Sequence, residues 1–231
     1  MLTLCVHTLS AENTLLYCAG PVAVILNTST HERVYVPSLD GGGVGAVTVH
    51  PSLKYFAVGE RCSHRAPNIY IYEFPSLEIY RVLREGTEAG YSDLDFNQSG
   101  TKLASVGGAP DYMMTVWNWE DEGIMLRSKA FSQDVYRSCF SQFNEGRLIS
   151  GGVGHMKLWK MASTFTGLKL KARSASLVTL SSLTRQLSVS SRMARPSAAR
   201  RQASCWSGTA RSSRSSSVGK SRRRRMRPPA L

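Results

Sequence analysis

The segment MMTVWNW spans residues 113–119, and the acidic turn EDEG follows it at 120–123. β-Branched and aromatic residues that run into a polar turn are typical of a β-strand. Related segments occur upstream, NIYIYEF at 68–74, and downstream, HMKLWKM at 155–161. The same strand pattern therefore occurs three times along the chain.

An aromatic residue holds the same place in each copy: Tyr72, Trp117 and Trp159. Their spacings are 45 and 42 residues, and self-similarity at about 40–45 residues is typical of propeller blades with four strands each. A single blade has two apolar faces that it cannot cover alone, so neighbouring blades must stack. We expect these three aromatic side chains to fill the space between blades and to form the core of the repeat.

The residues before each copy complete the blades. Two strand patterns flank a turn rich in Pro, Ser, Asn or Gly, as in a hairpin, within residues 46–58, 92–106 and 136–150. Residues 1–40 contain the remains of one more blade. The sequence thus predicts an all-β body over residues 1–170, a partial propeller of about three full four-stranded blades plus a partial one.

The charge of the chain is unevenly distributed. Residues 1–170 hold 14 Lys and Arg against 16 Asp and Glu, whereas residues 171–231 hold 15 Lys and Arg and no acidic residue. A segment of this composition buries too little apolar surface to fold, so we expect 171–231 to be a disordered Arg/Ser-rich tail. Two interpretations remain open: a sequence translated in an alternative frame, or a genuine tail that binds RNA or acidic tubulin through counterion release.

No catalytic, cofactor or metal site is predicted. The glycine-rich GGGVG at 41–45 lacks the Lys-Ser/Thr of a phosphate loop and precedes a strand pattern, whereas a phosphate loop precedes a helix. The five histidines are scattered and adjoin no nucleophile motif. Asp93 and Asp95 share one face of a strand, which we interpret as a polar blade edge. We expect a protein that is not an enzyme and binds no small-molecule substrate.

The chain also lacks the marks of secretion or membrane insertion. Five cysteines, an odd number whose spacings fit no disulfide framework, indicate free thiols in a reducing compartment. The first ten residues have no basic region followed by a long apolar core, so a signal peptide is not expected. No run of about 18 apolar residues occurs, so no membrane span is expected.

The repeat resembles the WD-repeat propeller family. Trp117-Asn118 and Trp159-Lys160 stand where that family has its Trp-Asp pair. The aspartate is replaced in every copy, and the Gly-His pair that precedes the first strand of each family blade is absent. The resemblance implies a propeller, but without the usual hydrogen-bond network among the His, Asp and Ser/Thr side chains of that family.

Longer segments are similar to the cilia- and flagella-associated WD-repeat proteins of the axoneme. The similarity covers about residues 12–170 and is carried by the segments at 41–52, 103–108, 127–137 and 160–170. It implies a scaffold in the axoneme of motile cilia and flagella, within the cytoplasm and cytoskeleton. It further implies a part in the tether that holds inner-arm dynein to doublet microtubules, with other tether WD-repeat proteins as partners, and a need for it in motility.

One loop is a candidate for contact with such a partner. The segment Gly107, Gly108, Ala109, Pro110, Asp111 and Tyr112 joins two strand patterns and is longer than a tight hairpin. Loops of propellers carry binding functions, and we expect this one to expose an aromatic side chain beside a carboxylate. The alternative function, an RNA- or tubulin-binding protein, would act through the basic tail instead.

Overall fold

The computed structural model describes residues 6–10, 13–164 and 167–174. Within these ranges the chain contains sixteen β-strands and no helix. The strands form four antiparallel sheets of four, and in each sheet the strands follow one another in chain order. The predicted all-β propeller body is confirmed, and we number its sheets blades 1 to 4.

Blades 1 and 2 have the following strands. Blade 1 contains β1 (Val6–Ser10), β2 (Thr14–Ala19), β3 (Val22–Asn27) and β4 (Arg33–Pro37). Blade 2 contains β5 (Val44–Val49), β6 (Tyr55–Glu60), β7 (Ile69–Glu73) and β8 (Ile79–Leu83). Blade 1, expected to be partial, is a complete sheet because β1 pairs with β2.

Blades 3 and 4 repeat this meander. Blade 3 contains β9 (Tyr91–Phe96), β10 (Leu103–Gly107), β11 (Met113–Asn118) and β12 (Gly123–Lys129). Blade 4 contains β13 (Val135–Ser141), β14 (Asn144–Gly152), β15 (His155–Thr164) and β16 (Gly167–Ser174). Strand β16 continues past residue 170, and the remainder of the expected tail, residues 175–231, lies outside the described residues.

The blades stack in chain order through apolar cores. The first strand of each blade contacts the first strand of the next, so β1, β5, β9 and β13 lie around a common axis. One buried cluster lies between blades 1 and 2, a second between blades 2 and 3, and a third between blades 3 and 4. Burial on both faces explains why the middle strands are nearly continuous apolar runs.

The repeated aromatic residues lie in these cores. Tyr72, Trp117 and Trp159 are 4%, 0% and 3% exposed, and each packs in the cluster shared with the preceding blade. One such ring in each of blades 2, 3 and 4 accounts for the repeat of 45 and 42 residues, because each stacking step must fill an equivalent gap.

Candidate docking surface at the axial mouth

A cavity of about 390 Å³, which we call the axial mouth, opens at the end of the propeller where β5, β9 and β13 begin. Its lining includes backbone and side chains from three blades, among them Gly45, Arg61, Ser92, Gly108 and Tyr136. The loops that precede the inner strands and the loops that follow the second strands meet here. This end of the propeller therefore combines a concave surface with exposed connections, which is where scaffolds hold their partners.

Three β-bulges shape the cavity. The pairing register shifts at one residue near the start of the inner strands of blades 2, 3 and 4, at Gly45 in β5, Ser92 in β9 and Tyr136 in β13. All three bulge residues line the cavity. A bulge leaves its extra residue unpaired and bends the strand. Equivalent bulges in three successive blades therefore bend the inner strands at the end of the propeller where the cavity lies.

The first bulge requires glycine. A Cβ atom on Gly45 would lie 2.0 Å from the backbone oxygen of Tyr91 in the neighbouring blade. No side chain fits at that distance, so the close approach of β5 to β9 depends on this residue. This gives one member of the glycine-rich segment at 41–45 a packing role rather than a phosphate-binding role.

Backbone hydrogen bonds tie the surrounding loops together. Cys62 N–H donates to the carbonyl oxygen of Ala89 at 3.0 Å, and Gly108 N–H donates to that of Gly90 at 2.9 Å. Arg61 also forms an isolated antiparallel bridge with Gly90. The rim of the cavity is thus held by main-chain contacts, which link blades 2 and 3 at Arg61 and Cys62 and close blade 3 at Gly108.

The candidate partner loop, residues 107–112, borders the cavity through Gly108 and Ala109. Its carboxylate faces inward: Asp111 accepts hydrogen bonds from Thr87 Oγ1 at 2.8 Å and from Glu88 N–H at 3.2 Å. Both Asp111 and Tyr112 are half-buried. The expected exposure of an aromatic residue beside an acid is thus only partial, because Asp111 holds the loop against the segment that precedes β9.

The tip of this loop is its accessible part. Ala109 and Pro110 are exposed, whereas Gly107 is buried and Gly108 is half-buried. A Cβ atom on Gly107 would lie 2.1 Å from Thr87 Oγ1, so this glycine lets the two loops meet. The loop therefore exposes a small apolar tip, Ala109 and Pro110, while its base at Gly107 is packed against Thr87.

Arg61 supplies the cation of the cavity. Its side chain is exposed at the rim, and no described residue forms an ion pair with its guanidinium group. Two glycines leave room for it: Cβ atoms on Gly90 and Gly45 would lie 2.7 Å from Arg61 Cγ and 3.2 Å from Arg61 Nε. The guanidinium group is therefore positioned above the cavity and free to meet a partner.

A second loop anchor lies beside the cavity and was missed from the sequence. Glu60, fully buried at the end of β6, accepts hydrogen bonds from Ser38 Oγ at 2.8 Å, Leu39 N–H at 2.7 Å and Asp40 N–H at 2.6 Å. It thus holds the loop that precedes β5, as Asp111 holds the loop that precedes β9. The two acids have no common sequence motif, because one ends a strand and the other follows one by four residues.

The pair Asp93 and Asp95 does not form a polar blade edge. Both carboxylates turn toward blade 4 and accept backbone N–H groups of β13, from Ser138 to Asp93 and from Phe140 to Asp95 at 2.7 Å. Burial raises the pKa of Asp93 to about 6 and that of Asp95 to about 7. The pair stabilises the contact between two blades by satisfying N–H groups that the ladder leaves open.

The described residues contain no candidate metal centre. Among residues 6–10, 13–164 and 167–174, no three His, Cys, Asp or Glu side chains cluster in a way that could hold a metal ion. In the same part of the chain, no helix is long and apolar enough to cross a membrane. The cavity offers recognition surface, with a cation at Arg61 and an exposed carboxylate at Asp134.

Comparisons with known proteins give relatives for the propeller, although no protein-family model matches the chain. The chain is 52% identical over 165 residues to cilia- and flagella-associated protein 44 of Chlamydomonas reinhardtii, and 51% identical over 160 residues to that of Mus musculus, covering 69% of its own length in each case. It is 27% identical over 157 residues, 64% of its length, to the 77 kDa echinoderm microtubule-associated protein of Lytechinus variegatus. It spans 9% of the first two relatives and 23% of the third.

Proposed function

We propose that this chain, which is homologous over 69% of its length to cilia- and flagella-associated protein 44, is a structural component of the axoneme of motile cilia and flagella. The observation that carries the proposal is the identity of 52% and 51% with relatives from a green alga and a mouse. Identity at this level through a propeller whose described residues offer docking surfaces supports a scaffold needed for motility.

The partners we propose are axonemal proteins: inner-arm dynein, the other WD-repeat proteins of its tether, and the doublet microtubule. The similarity to an echinoderm microtubule-associated protein supports a microtubule surface. The names of the relatives describe association with cilia, flagella or microtubules rather than a reaction, and we propose that the chain acts without catalysis or cofactor. The axial mouth, with Arg61 at its rim and the loop tip at Ala109 and Pro110, is the proposed contact.

The test is co-sedimentation of the full chain with axonemal doublets, compared with bare microtubules, at low and moderate salt. We expect doublet binding that persists at moderate salt and falls on Arg61→Ala. The matched control is Arg33→Ala, because Arg33 is also exposed and likewise forms no ion pair among the described residues. Equal loss in both variants, or binding only at low salt, would contradict docking through the axial mouth.

A second candidate function is supported by the charge of the last segment. Residues 171–231 carry 15 basic and no acidic residues, a composition that binds polyanions through counterion release. Such binding weakens steeply with salt. A chain that loses all doublet or RNA binding when residues 175–231 are removed would favour this function over the propeller scaffold.

A further inference from the structure

Blade 4 carries a row of three cations on the face turned away from blade 3. Arg147 on β14 pairs in register with Lys160 on β15, and Lys160 pairs with Lys171 on β16. Side chains that are directly opposite on neighbouring strands lie about 5 Å apart. Three positive charges therefore stand side by side across three strands.

The burial of their chain neighbours settles which face these cations occupy. Leu148 follows Arg147, and Trp159 precedes Lys160; both are buried in the core shared with blade 3. Successive side chains of a strand point to opposite faces. Arg147, Lys160 and Lys171 thus point away from that core, and all three are exposed.

Strand β16 extends the charge along the sheet. Lys169 and Arg173 lie two residues on either side of Lys171, so they share its face, and both are exposed. Alternate residues of a strand are about 6.8 Å apart. The five side chains form a cationic patch, which we define as Arg147, Lys160, Lys169, Lys171 and Arg173.

The patch is not neutralised within the described part of the protein. No described Asp or Glu forms an ion pair with any of its five members. The nearest acid in sequence, Glu145, lies 3.9 Å from Lys102 of blade 3 instead. Like charges placed directly opposite in a sheet destabilise it, so the row lowers the stability of the folded chain unless an anion covers it.

The positive charge and the side-chain spacing of the patch indicate which kind of partner can bind it. A second copy of the same face would add repulsion, which excludes self-pairing through it. An extended acidic polypeptide carries carboxylates at alternate positions with the same spacing of about 6.8 Å, and can meet Lys169, Lys171 and Arg173 in turn. We propose that this face of blade 4 is a docking site for an extended acidic polypeptide segment. This inference rests on charge and register and is independent of the axonemal proposal.

The test measures binding of a fluorescein-labelled 16-residue (Glu-Ser)8 peptide to the full chain by fluorescence anisotropy at 50 and 150 mM NaCl. The triple variant Arg147→Gln, Lys160→Gln, Lys171→Gln removes the row. We expect its Kd to rise about tenfold, as for the loss of three solvent-exposed charge pairs. A variant that keeps the charge, Lys160→Arg with Lys171→Arg, should bind like the parent chain.

The control removes the same charge elsewhere. Arg222→Gln, Arg223→Gln, Arg224→Gln lowers the net charge by the same three units within the run RRRR at 222–225. We expect its Kd to change less than about twofold if the patch is the site. Equal weakening in both triple variants would overturn the proposal, because it would show attraction by total charge alone.

Two further measurements keep the result interpretable. Thermal unfolding should show that the Gln row variant is at least as stable as the parent chain, because repulsion has been removed; lost binding without unfolding then reports the site. A 16-nucleotide single-stranded RNA should bind without dependence on the row. RNA binding that is tighter than peptide binding and is lost with the row would overturn the assignment to an acidic polypeptide.

Discussion

Trp117 Nε1–H donates a hydrogen bond to Ser105 Oγ at 2.8 Å, across neighbouring strands of blade 3 and within the core against blade 2. Blade 4 repeats the pair: Trp159 Nε1–H donates to Ser150 Oγ, also at 2.8 Å. In blade 2 the aromatic residue is Tyr72, and the residue that corresponds to Ser105 by strand register is Val58. The serine thus occurs where an indole N–H would otherwise be buried without a partner.

Trp117 is expected to be a major contributor to stability. Trp117→Ala should lower the free energy of unfolding by about 3–5 kcal/mol, because it leaves a cavity between blades. Trp117→Phe keeps most of the apolar volume but leaves the Ser105 hydroxyl without its donor, and should cost about 1–3 kcal/mol. Urea unfolding of both variants measures these values. The exposed Phe143→Ala is the control, and an effect of Trp117→Ala no larger than that control would contradict the assignment.

Asp95 is expected to make stability fall as the pH rises. Burial raises the pKa of Asp95 to about 7, from 3.8 in the unfolded chain. The folded protein therefore binds more protons than the unfolded chain between these values, and the free energy of unfolding decreases as the pH rises through them. Asp95→Asn should remove this contribution and leave that of Asp93, whose pKa burial raises to about 6, so the stability of the variant relative to the parent chain should be higher at pH 8 than at pH 5.

The measurement for Asp95 is urea unfolding of both chains at pH 5 and pH 8. His7 has the opposite effect, because burial lowers its pKa to about 4 and stability is lost as the pH falls below 6.5. That contribution is common to both chains and cancels in the difference between them. The exposed Asp134→Asn is the control for the loss of one carboxylate. A parallel pH dependence in the parent chain and Asp95→Asn would refute the prediction.

Gly45 is expected to tolerate no side chain. Gly45→Ala places a methyl group 2.0 Å from the Tyr91 carbonyl oxygen, so the inner strands of blades 2 and 3 must separate. Overpacking of this kind typically costs about 1–3 kcal/mol. Gly151→Ala is the matched control, because a Cβ atom on that strand glycine meets nothing within 4 Å. Thermal unfolding should show a lower Tm for Gly45→Ala only; an equal change in both would mean that the close approach is not required.

Asp111 is expected to hold the partner loop in place. Asp111→Ala leaves Thr87 Oγ1 and Glu88 N–H without the acceptor they share in the structure, at a cost of about 1–3 kcal/mol. The loop at 107–112 should then become more accessible, and limited proteolysis should cut there sooner than in the parent chain. Asp134→Ala is the control at the same mouth of the propeller. Unchanged cleavage in Asp111→Ala would show that the loop is held by its backbone contacts alone.

Part of this protein could be predicted from local sequence alone. The spacing of Tyr72, Trp117 and Trp159 determined the propeller, because stacking requires one large side chain per blade at an equivalent place. The alternation of strand and turn signals determined the hairpins for the same local reason. Strand β1 was not predicted, because its short segment has no clear strand pattern of its own and becomes a strand only by pairing with β2. The tail prediction for residues 175–231 remains a prediction.

Other features were decided by the tertiary structure alone. Asp95 meets the N–H group of Phe140 from 45 residues away, and no spacing rule states which blade face that carboxylate will meet. The convergence of three bulge residues on one cavity, and the alignment of Arg147, Lys160 and Lys171, both depend on strand register. Register is set by pairing and packing along the whole sheet. A sequence pattern specifies which residues alternate, whereas only the assembled blades determine which of them become neighbours.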